Sequence, residues 1–407
     1  MENQAVPPRA AVELGLADRP RPGYDAGMVT ETEQPSSGGA LVVSWYPVQD
    51  EASGGRRRVG ELLRALAPRV RLLQPPPPHP DCPGAVFPVD FARRKRGINW
   101  GMFNLHWPAN RRLARRLAAE WKPSVIVTTS IWCHSAFDGM GIPRVLDAQN
   151  VDAATIAERF GARHPFTRMV AAVERRVLAE SGLVFCCSGT DAERFRRDYA
   201  VPPEKIRIVP NGVTVAAAPP SAEAAAMRAR DAGKTVLYFM GKTDYAPNEA
   251  ALRFIADRLM PELERLAPGR FACWISGGGP GLPPGVEHPS LRWLGRVPEV
   301  PPWLAMADIA IAPVESGGGT RLKILEFLGA GKPLVATPKA AEGIDLVPGT
   351  DAELVPLEAM AGAIVRLAAD PARAAALGAA GRARMIASYT WESIHERWRT
   401  ALAPYGV

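Results

Sequence analysis

The amino-acid sequence predicts an α/β protein of two tandem doubly wound domains, each a parallel sheet covered by helices, facing each other across a cleft. Two observations predict it. Short apolar runs alternate with helical patterns along the chain, as strands buried on both faces require. That alternation stops once, in an Ala-, Pro- and Glu-rich run over 214–234, and then restarts with a new strand and loop. The length of 407 residues suits two domains, each with its own core. A composition 47% hydrophobic and 22% charged excludes a largely disordered chain.

The elements follow in order. Residues 1–38 are rich in Pro, Gly, Glu and Ser without periodicity and read as a disordered tail. The first strand is the apolar run 41–45. A loop with Ser53, Gly54 and Gly55 follows, then Arg56, Arg57 and Arg58 and a helix through Leu66. Strands are expected at 70–73, 125–129, 145–146, 184–187 and 206–209, with a polyproline connector over 75–78. One long helix is expected over 153–180 and another over 191–199. After the 214–234 boundary, strands are expected at 236–240, 271–276, 291–294, 309–313 and 334–336. Helices are expected at 248–259, 358–369, 371–388 and 391–402.

The richest stretch is 312–345. An apolar run ending at Pro313 leads into Gly317, Gly318 and Gly319, then a helix carrying Arg321, Lys323 and Glu326. A strand, a glycine turn and a helix N-terminus make an anion site, because free N–H groups and the helix dipole both favour negative charge. Two cations at that end are misplaced for the dipole alone, which points to a bound phosphate. Glu326 lies where it could accept hydrogen bonds from sugar hydroxyls. The stretch suggests a site for a nucleoside diphosphate and its sugar; the plainer reading is a strand-to-helix turn with surface charges.

Other chemistries find less support. Gly233-Lys234-Thr235 and Gly241-Lys242-Thr243 lack the upstream glycine of an ATPase loop, and Gly277-Gly278-Gly279 lacks dinucleotide-loop spacing. No His or Cys cluster has metal-ligand spacing, so no metal and no cofactor is expected. The five cysteines show no paired spacing and suit a reducing compartment. The net charge of +7 fits an anionic partner, or simply an arginine-rich proteome; no nucleic-acid module is present. Segment 91–116 mixes arginines with Trp100, Phe103 and Trp107. It reads as a solvated face, or as a peripheral contact with a membrane or a lipid-linked acceptor. No run resembles a signal peptide or membrane span, so the expectation is a cytoplasmic protein, free or at the inner face of a membrane.

Over about residues 40–400 the chain resembles retaining glycosyltransferases of GT-B fold, in particular family 4 (group 1). The strongest piece is Gly317 through Glu326, then Gly331-Lys332-Pro333 and Ala341-Glu342-Gly343. Support comes from Gly54-Gly55 with Arg56, Asp147-Ala148-Gln149-Asn150, Val209 through Val213, Gly241 with Pro247-Asn248, Gly295-Arg296-Val297 and Tyr389-Thr390-Trp391. The resemblance implies two Rossmann-like domains: an acceptor domain over 39–214 and a donor domain over 215–388. It also implies a helix over 389–407 crossing back onto the first domain. It implies a nucleoside-diphosphate sugar as donor and a hydroxyl as acceptor. Donor contacts fall to Gly54, Gly55, Gly241, Lys242, Gly317, Gly318, Gly319, Thr320 and Glu326, and catalytic roles to Arg321, Lys323, His134 and Gln149. The chain departs from the family three times. Its loop Gly241-Lys242-Thr243-Asp244 has no Arg where one usually binds the diphosphate, which leaves Lys242, with Arg321 and Lys323. Gly318 stands where the first of two glutamates is usual; Glu315 is close and could substitute, but it lies out of register. Gln149 stands where a histidine is usual; it can hydrogen-bond a sugar but cannot transfer a proton, which leaves His134 as the replacement. An epimerase or phosphorylase on the same scaffold, or a non-catalytic partner in glycan assembly, are the other readings.

Overall fold

The computed structural model describes residues 38–48, 53–90, 94–95, 98–215 and 218–407; the expected tail over 1–38 falls outside these but for Gly38. The first sheet has seven strands. They are β1 (Ala40–Val43), β2 (Val70–Gln74), β3 (Gly84–Val86), β6 (Val125–Thr128), β7 (Arg144–Ala148), β8 (Leu183–Cys186) and β9 (Ile206–Ile208). A two-residue hairpin, β4 (Arg94–Lys95) with β5 (Ile98–Asn99), lies apart. The sheet order is β3-β2-β1-β6-β7-β8-β9, all parallel. The second sheet is β12 (Leu291–Gly295), β11 (Phe271–Ser276), β10 (Thr235–Met240), β13 (Ile309–Ala312), β14 (Leu334–Ala336) and β15 (Glu353–Leu354), in that order and parallel. The central strands β1, β6, β11 and β13 are buried along their whole length, which is why they read as unbroken apolar runs.

In each sheet the winding reverses beside one strand: between β1 and β6 in the first, between β10 and β13 in the second. Loops leave those strand ends in opposite directions and open a crevice there. Helix α1 (Gly54–Leu66) starts at the first, with Ser53 as its cap. Helices α2 (Pro108–Trp121) and α3 (Ile131–His134) flank the same sheet, and α4 (Asp152–Phe160) begins just beyond β7.

The long helix expected over 153–180 is two. It breaks at Gly161, whose φ of 88° ends α4, and restarts at Pro165 as α5 (Pro165–Glu180), where the His164 ring accepts from the Phe166 N–H. Helix α6 (Gly189–Tyr199) completes this domain. The 214–234 run is not all linker, because α7 (Ala222–Arg230) forms there and buries Ala224 in the second core. In the second domain α8 (Ala246–Phe254) passes through a π-turn into α9 (Met260–Leu266) rather than stopping at 259. Pro261 has no N–H for a normal helical bond, and the wider turn removes the need for one. Helices α10 (Pro301–Met306), α11 (Leu322–Gly329), α12 (Leu357–Ala369) and α13 (Pro371–Ser388) cover the second sheet.

The last helix, α14 (Trp391–Leu402), packs on α1 of the first domain. Trp391, Ile394, Trp398 and Leu402 join the first domain's core. His395 bonds Glu61 at 2.8 Å, and Arg399 donates to the Ala65 carbonyl at 2.9 Å. Below the first crevice, Arg58 and Asp147 form an ion pair 1% and 0% exposed, with Arg58 also donating to the Val209 and Pro210 carbonyls and stacking on Trp398. Such a pair is costly to bury and more costly to break.

Candidate functional site

The N-termini of α1 and α11 converge across the cleft, one from each domain. Leu322 lies 3.2 Å from where a Gly54 side chain would begin, and Arg57 donates to Glu326 at 2.8 Å. Two helix N-termini aimed at one space leave unpaired N–H donors and two positive dipole ends there.

The glycine loop runs from β13 into α11. Its Gly317 N–H donates to the Glu158 carboxylate of the first domain at 3.0 Å, and Lys339 holds the other Glu158 oxygen at 3.1 Å. A side chain at Gly318 would begin 2.4 Å from the Thr155 hydroxyl; one at Gly319, with φ of 71°, would begin 2.4 Å from Asn150 Oδ1. Helix α4 therefore leaves no room for a glutamate at 318. Thr320 accepts from Asn211 at 2.7 Å, a further contact between the domains.

Arg321 does not reach out into the cleft. It is the residue before α11, and its guanidinium folds back onto the carbonyls of Ser316, Gly317 and Gly319, bracing the loop from within. Lys323 is the cation that stays with the site. Its ammonium donates to Asn248 Oδ1 at 2.8 Å and sits 4.4 Å from the Phe239 ring centroid. Burial brings it down to about 7; Arg321 pushes the same way and Glu326 opposes. Asn248 is fixed in turn by donating to the Lys242 carbonyl, and it lies within 2.6 Å of where a Gly241 side chain would start. Lys242 itself is exposed on this loop. Gly241, Lys242, Gly317 to Gly319, Lys323 and Glu326 are thus brought to one crevice, between the ends of β10 and β13.

The first crevice holds Gln149 and Gly55. The Gln149 amide pairs with the Tyr46 hydroxyl at 2.7 Å, and Gly55 is small because both would crowd a side chain there. Behind the pair lies a cavity of ≈ 130 Å³ walled by Trp45, Tyr46, Trp132, Gln149, Asp152 and Phe166, among others.

His134 is a correction. It is 0% exposed, its ring meets the Thr128 hydroxyl at 3.1 Å inside the fold, and burial drives it down to about 3. A neutral, sealed imidazole cannot reach a substrate. A histidine just past a strand looks the same in sequence whether it turns into the crevice or the core. The sequence carries no signal for Arg57, Asp152 or Glu158, since one arginine in a run or one carboxylate on a helix looks like any other, and it marks Asn248 only beside Pro247 as part of the resemblance. Of segment 91–116, residues 91–93 and 96–97 lie outside the described residues; within the rest, Trp107 is 48% exposed beside exposed Arg111, Arg112 and Arg116. Among the described residues no helix is long and apolar enough to cross a membrane.

Comparison with known proteins adds to this geometry. Residues 52–217 match the family described as Glycosyltransferase Family 4, and residues 234–370 match Glycosyl transferases group 1. A D-inositol 3-phosphate glycosyltransferase of Segniliparus rotundus is 28% identical over 63% of this chain and 60% of its own length. A GDP-mannose-dependent alpha-(1-6)-phosphatidylinositol monomannoside mannosyltransferase of Mycolicibacterium smegmatis is 34% identical over 33% of this chain and 40% of its own. The matched region is therefore less than two thirds of either relative. Among solved structures, sucrose-phosphate synthase from Thermosynechococcus elongatus has a TM-score of 0.71 at 18% identity, covering 91% of this chain and 100% of that one. Anabaena HepE in complex with UDP and glucose has a TM-score of 0.69 at 14% identity, covering 89% and 99%. These likenesses give the GT-B fold.

Proposed function

The chain belongs to the family 4, group 1 glycosyltransferases, and we propose that it moves a sugar from a nucleoside-diphosphate donor to an acceptor hydroxyl with retention at the anomeric carbon. The observation that carries this is Lys323: a half-buried ammonium held by one amide oxygen and one aromatic face, at a helix N-terminus beside a glycine loop. Such a cation gains most when an anion arrives.

The second domain would take the donor. Its diphosphate would lie against the N–H groups of the glycine loop and Lys323, with Arg321 keeping the loop in shape. The ribose hydroxyls would bond Glu326, exchanging with Arg57. As the bond to the sugar breaks, charge grows on the diphosphate where those donors already point, and such preorganised contacts are worth roughly 3–4 kcal/mol each. The leaving phosphate itself would accept the acceptor proton, so no enzyme carboxylate need attack. Glu158, against the loop that has no room for its own glutamate, would stand near the transferred sugar. Gln149 would hold a hydroxyl from the first domain's side. One relative is named for a phosphorylated polyol and the other for a glycolipid; we favour an acceptor of the glycolipid kind, and the exposed Trp107 with its arginines would suit work at the inner face of a membrane.

A thermal-shift panel of UDP, GDP, ADP and dTDP tests the donor site, since a ligand that binds only the folded state raises the melting temperature. We expect one to raise it at millimolar concentration, and Glu326→Ala to weaken that ligand several-fold, as loss of one or two hydrogen bonds of about 1 kcal/mol each would. No shift from any of the four would overturn the reading. Nucleotide release that depends on an added acceptor then separates transfer from epimerase or phosphorylase chemistry.

A further inference from the structure

We infer that the cavity at the carboxyl ends of β1 and β6 receives an uncharged sugar ring of the acceptor, and that Asp152 is the side chain that selects it. This rests on the glycosyltransferase reading above. The cavity's position is the first support. It opens where the winding of the first sheet reverses, beside Gln149 and Asn150, and Asn150 touches Gly319 of the opposite loop. A hydroxyl on a ring held there would face the donor.

The walls are the second support. Trp45, Tyr46, Trp132 and Phe166 supply flat apolar faces, and Gln149 and Asp152 a few convergent polar groups, the pattern of a small-molecule site. The cavity's volume is ≈ 130 Å³. Among its lining residues there is no lysine, arginine or histidine.

The third support is the carboxyl pair. Glu174 accepts from the N–H groups of Asp152 at 2.7 Å and Ala153 at 3.2 Å, and from the Tyr199 hydroxyl. Burial pushes the Glu174 carboxyl up, and those three donors pull it back toward its charged form. Burial, and then the Glu174 charge, favour the proton on Asp152. A protonated carboxyl both donates and accepts, which matches a hydroxyl. A phosphate or carboxylate in the same place would meet a second acid and no cation.

The probes are methyl α-hexopyranosides and the corresponding hexose 6-phosphates. They are titrated into the full-length protein at saturating nucleotide and read by tryptophan fluorescence and saturation-transfer NMR. The methyl hexoside is expected to bind at least about tenfold more tightly than the phosphate, the worth of about 1.4 kcal/mol. Asp152→Ala should lose about that factor, and Asp152→Asn, still neutral and hydrogen-bonding, should stay within about threefold of the parent. The thermal shift with nucleotide should persist in both variants. Equal or tighter binding of the phosphate, no glycoside binding at all, or Asp152→Ala binding the glycoside as the parent does would each overturn the inference. In all three cases nucleotide binding would leave the donor site standing. Failure of every nucleotide would instead remove the transferase reading itself.

Discussion

The two crevices of this chain are built alike and furnished differently. Each lies where a parallel sheet reverses its winding, beside β1 in one domain and β10 in the other. At the second stand a glycine loop and Lys323, held by Asn248, where we propose the diphosphate binds. At the first, aromatic rings and the carboxyl of Asp152 prepare a place where charge is unwelcome. Topology decides where a ligand can sit; side chains decide which. Two like frames facing each other can therefore hold two unlike substrates.

The comparison would break most sharply through the first crevice's foundation. Asp147→Ala leaves the Arg58 cation buried without its carboxylate, and should cost about 3–5 kcal/mol. Urea denaturation reads the loss, while the chosen nucleotide should still raise the melting temperature of the variant. A midpoint unchanged within error would mean the pair does not support that crevice.

Lys323 sharpens the second crevice. Lys323→Met should lower nucleotide affinity by about 1.5–3 kcal/mol, the range of hydrogen bonds to charged groups, and leave glycoside binding alone. Its pH dependence has a definite sign. An unfolded lysine keeps its proton to about 10.4, whereas burial brings Lys323 down to about 7. Protonating it therefore costs folding stability in full below pH 7, and the cost fades as pH rises toward 10. A diphosphate favours the ammonium, so above pH 7 binding should take up a proton and weaken by up to about tenfold per pH unit. Calorimetry in two buffers of different ionisation enthalpy measures that uptake. Affinity flat from pH 7 to 9 would take Lys323 out of the anion site.

The smallest effect is expected at the join. Arg57 and Glu326 are 21% and 25% exposed, so Arg57→Ala should change stability by only about 0–1 kcal/mol. With Glu326 released, nucleotide affinity should rise by up to about fivefold. A fall would mean that Arg57 contacts the donor itself.

Much of the fold was legible because strands buried on both faces are apolar without interruption, as over 271–276. The edge strands Gly84–Val86 and Glu353–Leu354 were not, since they are two or three residues long and only partly buried. The glycine loop before α11 was legible because glycine, cation and helix start coincide within ten residues. The Lys323 partner Asn248 and the loop's partner Glu158 lie 75 and 159 residues away, and only the folded chain sets them beside it. His134 misled for the converse reason: its place in the chain is right and its side chain turns inward.

The return of α14 to the first domain sets an order of events at the ribosome. Trp391, Ile394, Trp398 and Leu402 belong to the first domain's core, yet they are made after the whole second domain. Roughly 180 residues separate Ile208 from Trp391, on the order of 10–40 s of synthesis at about 5–20 residues per second. During that interval the flank of α1 is an uncovered apolar surface on a nascent chain. The domain made first is the one finished last, and it is the one that chaperones should hold.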